Sequence, residues 1–352
     1  MKKRFINFSL ILLFVAYIFV LTAKPHLCRS GTFNGILLCG KVIIPSLFPF
    51  ATCVLFILGS GIFEVSGKLT HLTKKITGLP FDLFMIFVFS SIGGYPVGAS
   101  LLNTATLQGK ITAKTAGRML NFCINAGPAF IISAVGSGIL GSQTLGIILL
   151  ASHLFSSVLL LFVFRFAYKF DDVTKTQKQK PISFADNFVN SAAEASKSVL
   201  SICSFVILFS GICEYINYFA QKAEFLKFAA LLLEVTNAVT FTNNLYLISF
   251  LLGFGGISVW CQIIFMAKNI KINFLQFTAF RILHGTLSAL FTFILVKIFP
   301  SALPTVSNGK IITFSYFHST AAIGISLLIM GIVFVISLTT KNYAGKLLDD
   351  MV

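Results

Sequence analysis

The nine residues SSIGGYPVG at positions 90–98 interrupt an apolar segment that runs from Phe81 to Leu107. Three glycines and Pro96 fall within six residues there. This combination cannot continue a regular helix, because proline lacks an amide hydrogen and clashes with the preceding turn, and glycine weakens what remains. Within a bilayer, the backbone groups freed by such a break must be buried in protein or line a polar cavity. The segment therefore predicts either a kink or a binding site at membrane depth.

The composition of the whole chain is that of a membrane protein. Of its 352 residues, 56% are hydrophobic and 11% are charged, and the mean hydropathy is +0.91. Soluble domains, in contrast, carry about 25% charged residues. Apolar runs of about 20 residues recur along the chain, which is the length that crosses a bilayer as a helix. We predict an all-α, polytopic transmembrane protein with about 7–9 membrane segments.

The net charge of +16 does not indicate a nucleic-acid partner. Lysines and arginines gather in short loops between apolar runs, as the positive-inside rule expects, so the lipid bilayer is the partner that they indicate. Seven cysteines form no C-x-x-C pair, and most of them lie within apolar runs. They are typical of small buried side chains, and we predict neither a disulfide nor a metal site.

The chain begins with Met1 and the basic residues Lys2, Lys3 and Arg4, followed by an apolar run from Phe5 to Ala23. A cleaved signal peptide and an uncleaved first helix both fit this pattern, and the length of the run favours the uncleaved helix. The basic end places the N-terminus in the cytoplasm. A second span is expected at residues 34–63, with kinks at Pro45 and Pro49.

Basic loops on either side of the interrupted segment indicate its course. The loop before it contains Lys74 and Lys75 and is cytoplasmic, because two crossings separate it from the N-terminus. After the segment, residues 119–164 contain no Lys, Arg, Asp or Glu, which is enough apolar sequence for two spans with a turn near Gly138 to Gln143. Basic loops flank this pair of spans and therefore lie on one side. The interrupted segment thus begins and ends on the same side, which predicts a re-entrant hairpin with its tip near Gly94-Tyr95-Pro96.

The second half repeats this order of events. Further spans are expected at residues 187–216, 245–267, 274–299 and 311–339, with an amphipathic connecting helix over residues 221–242. The predicted division is an N-terminal helix (1–30), a first repeat (31–168), a cytoplasmic basic loop (169–185), a second repeat (186–340) and a polar tail (341–352).

The two halves match in detail around their glycine-rich breaks. Residues 93–97 (GGYPV) correspond to residues 255–259 (GGISV) at an offset of 162. A polar stripe with the spacing i, i+3, i+7 follows each break, so its side chains should share one helix face. The stripes are Arg118, Asn121 and Asn125 in the first half, and Arg281, His284 and Ser288 in the second. Three crossings and one hairpin in each half would turn the second half upside down, which predicts two inverted repeats, each with a broken or re-entrant helix.

Two arginines beside two helix breaks indicate a site for a small anionic solute. Half-helix N-termini offer unpaired N–H groups to anions, and arginine within a membrane usually faces the bundle interior. Glycines that only allow close packing, or arginines that snorkel to headgroups, would explain either feature alone. Their repeated co-occurrence favours a site. The candidate substrate-binding residues are Gly93, Gly94, Tyr95, Pro96, Arg118, Asn121, Asn125, Gly255, Gly256, Ser258, Gln262, Arg281, His284 and Ser288.

Enzyme chemistry is not indicated by the sequence. The five histidines lie far apart and form no H-E-x-x-H motif. Residues 136–141 match G-x-G-x-x-G, but no predicted strand precedes them, and the chain has no P-loop. We predict no catalytic residue and no cofactor, and the coupling ion stays open.

Four motifs, in order along the chain, carry a resemblance to a known family. They are PSLFPF at 45–50, GGYPVGA at 93–99, R-x-L-x-F-C-x-N-A-G-P at 118–128 and LGFGGISV at 252–259. Together they resemble the YlbJ family of sporulation integral membrane proteins, which belongs to the nucleoside-recognition (Gate) domain group and is similar to concentrative nucleoside transporters. The likeness covers nearly the whole chain. The sequence departs from the family pattern at Trp260, where a small or polar residue is usual.

The resemblance implies a carrier in the cell membrane or the forespore membrane of a spore-forming bacterium. Its expected substrate is a small anionic metabolite, with dipicolinate delivered to the developing spore as the favoured one. A nucleoside or another small solute is an alternative, and so is a non-transporting scaffold whose function would lie in an exposed loop such as residues 165–183. A homo-oligomer and other sporulation membrane proteins stay open as partners.

Overall fold

The computed structural model of the chain describes residues 21–60, 67–168, 183–220, 230–239 and 244–300, together with positions 11, 12, 15, 18, 19 and 242. Every regular element within these ranges is a helix, and no strand occurs in them. The prediction of an all-α protein is therefore confirmed for the described part of the chain.

Twelve α-helices and two π-helices make up the described fold. They are α1 (Pro25–Leu38), a π-helical turn (Cys39–Ile43), α2 (Ile44–Gly59), α3 (Gly67–Thr77), α4 (Phe81–Gly93), α5 (Tyr95–Leu107), α6 (Ala113–Met119), a longer π-helix (Ala129–Ile139), α7 (Gln143–Ala167), α8 (Phe184–Ala220), α9 (Val235–Ala238), α10 (Leu245–Phe254), α11 (Gly256–Met266) and α12 (Phe274–Ile298).

Four helical segments are long and apolar enough to cross a bilayer, namely Gln143–Ala167, Phe184–Ala220, Leu245–Met266 and Phe274–Ile298. Helices α3 and α4 would add a fifth if that pair, which is bent by 66°, formed one broken span. The described helices thus supply four or five candidate spans. The predicted number of 7–9 stays a prediction.

Several predicted segments lie outside the described residues. They are most of the first span at 5–23, Glu64 at the end of the second span, most of the basic loop at 169–185, the first half of the connecting helix at 221–242, the span at 311–339 and the tail at 341–352. The predicted domain boundaries and the cytoplasmic N-terminus accordingly stay predictions.

The irregularity predicted near Pro45 takes the form of the π-helical turn. Pro45 has no amide hydrogen to donate to the carbonyl of Lys41, and the helix widens over Cys39–Ile43 immediately before it. Helices α1 and α2 therefore form one long helical segment, which packs along α8.

The interrupted segment at 81–107 folds back on itself. Helices α4 and α5 contain 13 residues each. Each is about 20 Å long, too short for a hydrocarbon core of about 30 Å. They separate at Gly94, whose φ of +90° is readily adopted only by glycine. A Cβ atom added to Gly98 would lie 2.9 Å from the Cβ of Ser90, whereas these positions would be about 12 Å apart in one continuous helix. The fold-back predicted from the charge pattern is present.

The matching break in the second half keeps its direction. Helix α10 ends at Phe254 and α11 begins at Gly256, with Gly255 at φ +84° and Gly256 at φ +75°. The two helices together form one candidate span of 22 residues. Both predicted breaks are present, but only the first reverses the chain. The inverted orientation of the second repeat, which depends on a hairpin in each half, stays a prediction.

The two polar stripes also differ. Arg281, His284 and Ser288 lie on one face of α12, a continuous helix of 25 residues, and all three are fully buried. In the first half, α6 ends at Met119 and residues 120–127 are not helical. The prediction that Arg118, Asn121 and Asn125 share a helix face is therefore wrong.

Gly127-Pro128 prevents a regular helix from running through the end of this segment. Pro128 cannot donate to the carbonyl of Ile124, and a proline disfavours helical geometry at the residue before it. The chain resumes only as the π-helix that starts at Ala129. The turn predicted near Gly138 to Gln143 is confirmed, since the π-helix ends at Ile139 and Ser142 caps the start of α7. Because the π-helix has only 11 residues, it is shorter than the span predicted there.

Candidate functional site

The two helix breaks touch each other. The hydroxyl of Tyr95, the first residue of α5, donates to the carbonyl of Leu252 in the last turn of α10 at 2.6 Å. A Cβ atom added to Gly255 would lie 3.6 Å from the Tyr95 ring. The tip of the first break therefore binds a carbonyl that the second break has freed, as buried backbone at membrane depth requires.

Trp260 satisfies a second carbonyl at the same break. Its indole Nε1 donates to the carbonyl of Phe254 at 3.1 Å, and its ring centroid lies 5.0 Å from that of Phe254. The tryptophan that departs from the family pattern thus has a structural role in this chain.

A loop formed by residues 120–128 lies next to the breaks and carries irregular backbone into the protein interior. Arg281 from α12 holds two of its carbonyls, with Nη1 donating to Ile124 at 2.6 Å and Nη2 donating to Asn121 at 2.7 Å. In a continuous helix, the Ile124 carbonyl would accept a hydrogen bond from the amide of residue 128, but Pro128 has no amide hydrogen. The arginine of the second half therefore supplies the donor that the proline of the first half removes.

Other buried side chains complete the hydrogen bonding of this loop. Asn125 Nδ2 donates to the Ser91 hydroxyl and to the Phe122 carbonyl, both at 3.1 Å, and so ties the loop to the first break. Ser157 from α7 donates to the same Phe122 carbonyl at 2.9 Å. Asn121 Nδ2 donates to the Arg118 carbonyl at 3.0 Å.

Two histidines meet at the centre of the cluster. His153 of α7 accepts from the Ala126 amide at its Nε2 (2.9 Å), and the His284 Nε2 lies 3.1 Å from the His153 carbonyl. Their ring centroids are 4.4 Å apart, and both side chains are fully buried. Sequence reasoning included His284 but missed His153. The overlooked signal is the set of buried polar residues Ser152, His153, Ser156 and Ser157 in the otherwise apolar α7.

The polar stripe of α12 continues away from the histidines. Ser288 and Ser249 of α10 exchange a hydrogen bond at 2.8 Å, and Thr292 donates to Ser249 at 2.8 Å. Ser258 and Gln262 of α11 are also buried and lie 3.4 Å apart, as a separate pair.

Arg118 does not join the cluster. Its guanidinium lies over the ring of Tyr168 at 4.4 Å from the centroid, near the end of α7, and the side chain is only partly buried. The structure thus brings together Asn121, Asn125, Arg281, His284 and the break residues Gly93 to Pro96 and Gly255 to Gly256, and it places Arg118 outside this group. We define the polar cluster as Asn121, Asn125, His153, Arg281 and His284.

The polar cluster is electropositive. Arg281 is fully buried, and no carboxylate pairs with it among the residues that the structure describes. Several polar atoms of the cluster have no hydrogen-bond partner in the described part of the chain: Asn121 Oδ1, Asn125 Oδ1, His153 Nδ1, His284 Nδ1 and Arg281 Nε. Buried polar atoms are normally paired, so this concentration makes the polar cluster the candidate functional site.

A separate groove of about 420 Å³ runs along α1 and the residues before it. It is lined by Leu21, Pro25, Cys28, Arg29, Thr32, Phe33 and Ile36. No member of the polar cluster lines it, and its mostly apolar walls suit a lipid chain better than an anion.

Comparison with known proteins identifies a relative of this chain by sequence. The chain is 24% identical, over 338 aligned positions, to the sporulation integral membrane protein YlbJ of Bacillus subtilis (strain 168). The alignment covers 81% of this chain and 83% of the relative. The chain is similar to YlbJ over most of its length. Since the YlbJ relative is an integral membrane protein and the described helices include four candidate spans, this chain is an integral membrane protein as well. No protein-family model and no solved structure matches it.

Proposed function

We propose that this protein is a membrane carrier of a small anionic solute and that it acts in sporulation. The sporulation role follows the name of the YlbJ relative. The observation that carries the anion proposal is Arg281, a guanidinium that is fully buried with no carboxylate beside it in the described residues. Burying a charge without a counter-charge is unfavourable, so an anion that binds there regains stabilisation that the empty protein lacks.

The helix breaks support the same proposal. Helices α5 and α11 both begin at a break, and the first amide groups of each helix have no partner within it. Their positive dipole ends add to the charge of Arg281. The contact between Tyr95 and Leu252 places the two breaks side by side, so both helix ends lie near one locus.

Dipicolinate is the substrate that we favour. The resemblance to the YlbJ family carries this choice, and the chemistry agrees with it, because a planar dicarboxylate can accept hydrogen bonds from a guanidinium in a bidentate manner. The test is the dipicolinate content of spores that lack this protein. We expect a large deficit that the wild-type gene restores and that Arg281→Gln does not. Normal dipicolinate content in the deletion strain would remove this substrate.

A nucleoside carrier is the second candidate. Three of the unpaired atoms, Asn121 Oδ1, Asn125 Oδ1 and His284 Nδ1, can only accept hydrogen bonds when the histidine is neutral. A solute with hydrogen-bond donors as well as acceptors, such as a nucleoside, could donate to these three atoms. Competition of unlabelled uridine against radiolabelled dipicolinate in proteoliposomes separates the two candidates, since inhibition by uridine favours the nucleoside.

A scaffold without transport activity predicts a different result. Its function would lie in the exposed loop at residues 165–183, so replacing that loop by a neutral linker of equal length would abolish function. The carrier proposal predicts that this replacement leaves uptake largely intact and that changes in the polar cluster abolish it.

A further inference from the structure

The His153–His284 pair has a hydrogen-bond pattern that determines the proton positions on both rings. The His153 Nε2 accepts from the Ala126 amide, so its lone pair is already used. A neutral imidazole with an acceptor at Nε2 carries its hydrogen on Nδ1. The His153 Nδ1 is therefore a donor, and it has no acceptor in the described part of the protein.

His284 has the opposite arrangement. Its Nε2 faces the carbonyl of His153, which can only accept, so Nε2 carries the hydrogen. The Nδ1 of His284 is then a lone pair without a donor among the described residues. It is the one basic nitrogen of the pair that is open to a proton.

Charged and titratable groups around His284 determine how favourably its Nδ1 binds a proton. Arg281 lies one turn earlier on α12, and Cys123 of the loop and Tyr95 of α5 lie within electrostatic range of Arg281. Helix α7 places the ring of His153 against His284. From α10, the neutral side chain of Ser249 forms a hydrogen bond with Ser288, which lies one turn after His284 on α12. The buried carboxylate of Glu234 lies on the side of Tyr95 and interacts with it.

A second positive charge beside Arg281 is repelled in a buried site, because water does not screen the two charges. An anion bound against Arg281 removes this repulsion. Binding of the anion and binding of the proton therefore favour each other, and such coupling is reciprocal.

We propose that the carrier takes up one proton together with its anion and that the proton binds at Nδ1 of His284. This inference rests on the proposed function, and it names the proton as the coupling ion. His153 is a positioning residue in this scheme, because its backbone carbonyl orients the His284 ring. The Nδ1 of His153 has no acceptor among the described residues.

The test uses the purified full-length protein in liposomes with radiolabelled dipicolinate as the probe. Equal potassium on both sides with valinomycin holds the membrane potential at zero. Exchange of labelled for unlabelled dipicolinate at equal pH measures carriage alone. Uptake driven by an inside-alkaline gradient of one pH unit measures proton coupling. If one proton enters with each anion, this gradient permits about tenfold accumulation of dipicolinate inside the liposomes.

We expect His284→Asn to reduce the stimulation by the gradient from several-fold to about one, since asparagine can donate to the His153 carbonyl but has no basic nitrogen. His71→Asn is the matched control, because His71 is exposed on α3, and it should keep the full stimulation. If His284→Asn does not fold, a second measurement on the wild type decides the question. External alkalinisation when dipicolinate enters without a gradient would report the proton directly.

The outcomes separate the two proposals. No exchange by the wild-type protein would overturn the proposed function and this inference together. Exchange that a pH gradient does not accelerate, with no alkalinisation, would overturn the inference and leave the carrier proposal standing. Gradient-driven uptake that His284→Asn preserves would place the proton elsewhere and so contradict the assignment to His284.

Discussion

The segments that follow the two helix breaks begin alike and then diverge. Both start with a polar N-cap at matched positions, where Thr112 accepts from the Thr115 amide and Asn273 accepts from the Gln276 amide. The second segment continues as the unbroken α12, whereas the first ends after α6 and becomes the loop at 120–128. Pro128 of the first segment has no counterpart in α12, and the loop before it uses the arginine of the other segment to satisfy its backbone. The two segments with matching sequence positions are thus complementary parts of one cluster.

The largest expected effect comes from the arginine that joins the two segments. We expect Arg281→Gln to lower the free energy of unfolding by about 2–4 kcal/mol, because two buried carbonyls lose a charged donor. Thermal unfolding of the detergent-solubilised protein measures the change. A melting temperature equal to that of the wild type would show that these two hydrogen bonds do not hold the loop.

A smaller effect is expected at the glycine that lets the loop approach the hairpin. A Cβ atom at Gly98 would lie 2.0 Å from the carbonyl oxygen of Cys123, so Gly98→Ala should destabilise the protein by about 1–3 kcal/mol. Its matched position in the second half is Trp260, whose ring packs against Phe277 of α12 with a centroid distance of 5.6 Å. The structure therefore leaves no room for a side chain at position 98, whereas it accommodates a large side chain at position 260. Wild-type stability of Gly98→Ala would contradict the close packing of the loop on α5.

The contact between the breaks predicts a still smaller loss. Tyr95→Phe removes the donor to the Leu252 carbonyl and should cost about 1–2 kcal/mol, since that carbonyl stays buried. Trp260→Phe removes the matching donor to the Phe254 carbonyl within the second half. If the breaks form one site, Tyr95→Phe impairs uptake more than Trp260→Phe does at equal loss of stability. Equal uptake by the two variants would contradict the claim that the two breaks form one site.

The smallest effect is expected at the arginine that matches Arg281 in sequence. Arg118→Gln loses only the stacking on Tyr168, which is worth about 0.5–1 kcal/mol at a partly exposed site. Its melting temperature should stay within a few degrees of the wild type. A loss as large as that of Arg281→Gln would contradict the asymmetry between the two segments.

Part of this architecture follows from the sequence because strong local rules apply to it. Glycine-rich runs with Pro96 predict the break in the first half, and the count of charges around it predicts the fold-back. The helix periodicity of Arg281, His284 and Ser288 predicts their common buried face, since nothing in α12 interrupts it.

Other features could not be predicted because they depend on partners far along the chain. The spacing of Arg118, Asn121 and Asn125 predicts a common helix face, but α6 ends at Met119, before two of these three residues. His153 gains its role only because the Ala126 amide and His284 approach it in three dimensions. The contact of Tyr95 with Leu252 joins residues that lie 157 positions apart, and no local pattern indicates such a contact.

Uptake of radiolabelled dipicolinate into proteoliposomes, compared between Arg281→Gln and Arg118→Gln, tests the central claim most directly. Both variants remove one positive charge from matched positions, so the comparison cancels the effect of net charge. The anion site centred on Arg281 predicts that folded Arg281→Gln loses most uptake while Arg118→Gln keeps most of it. Equal uptake by the two folded variants would contradict the claim that this cluster binds the solute.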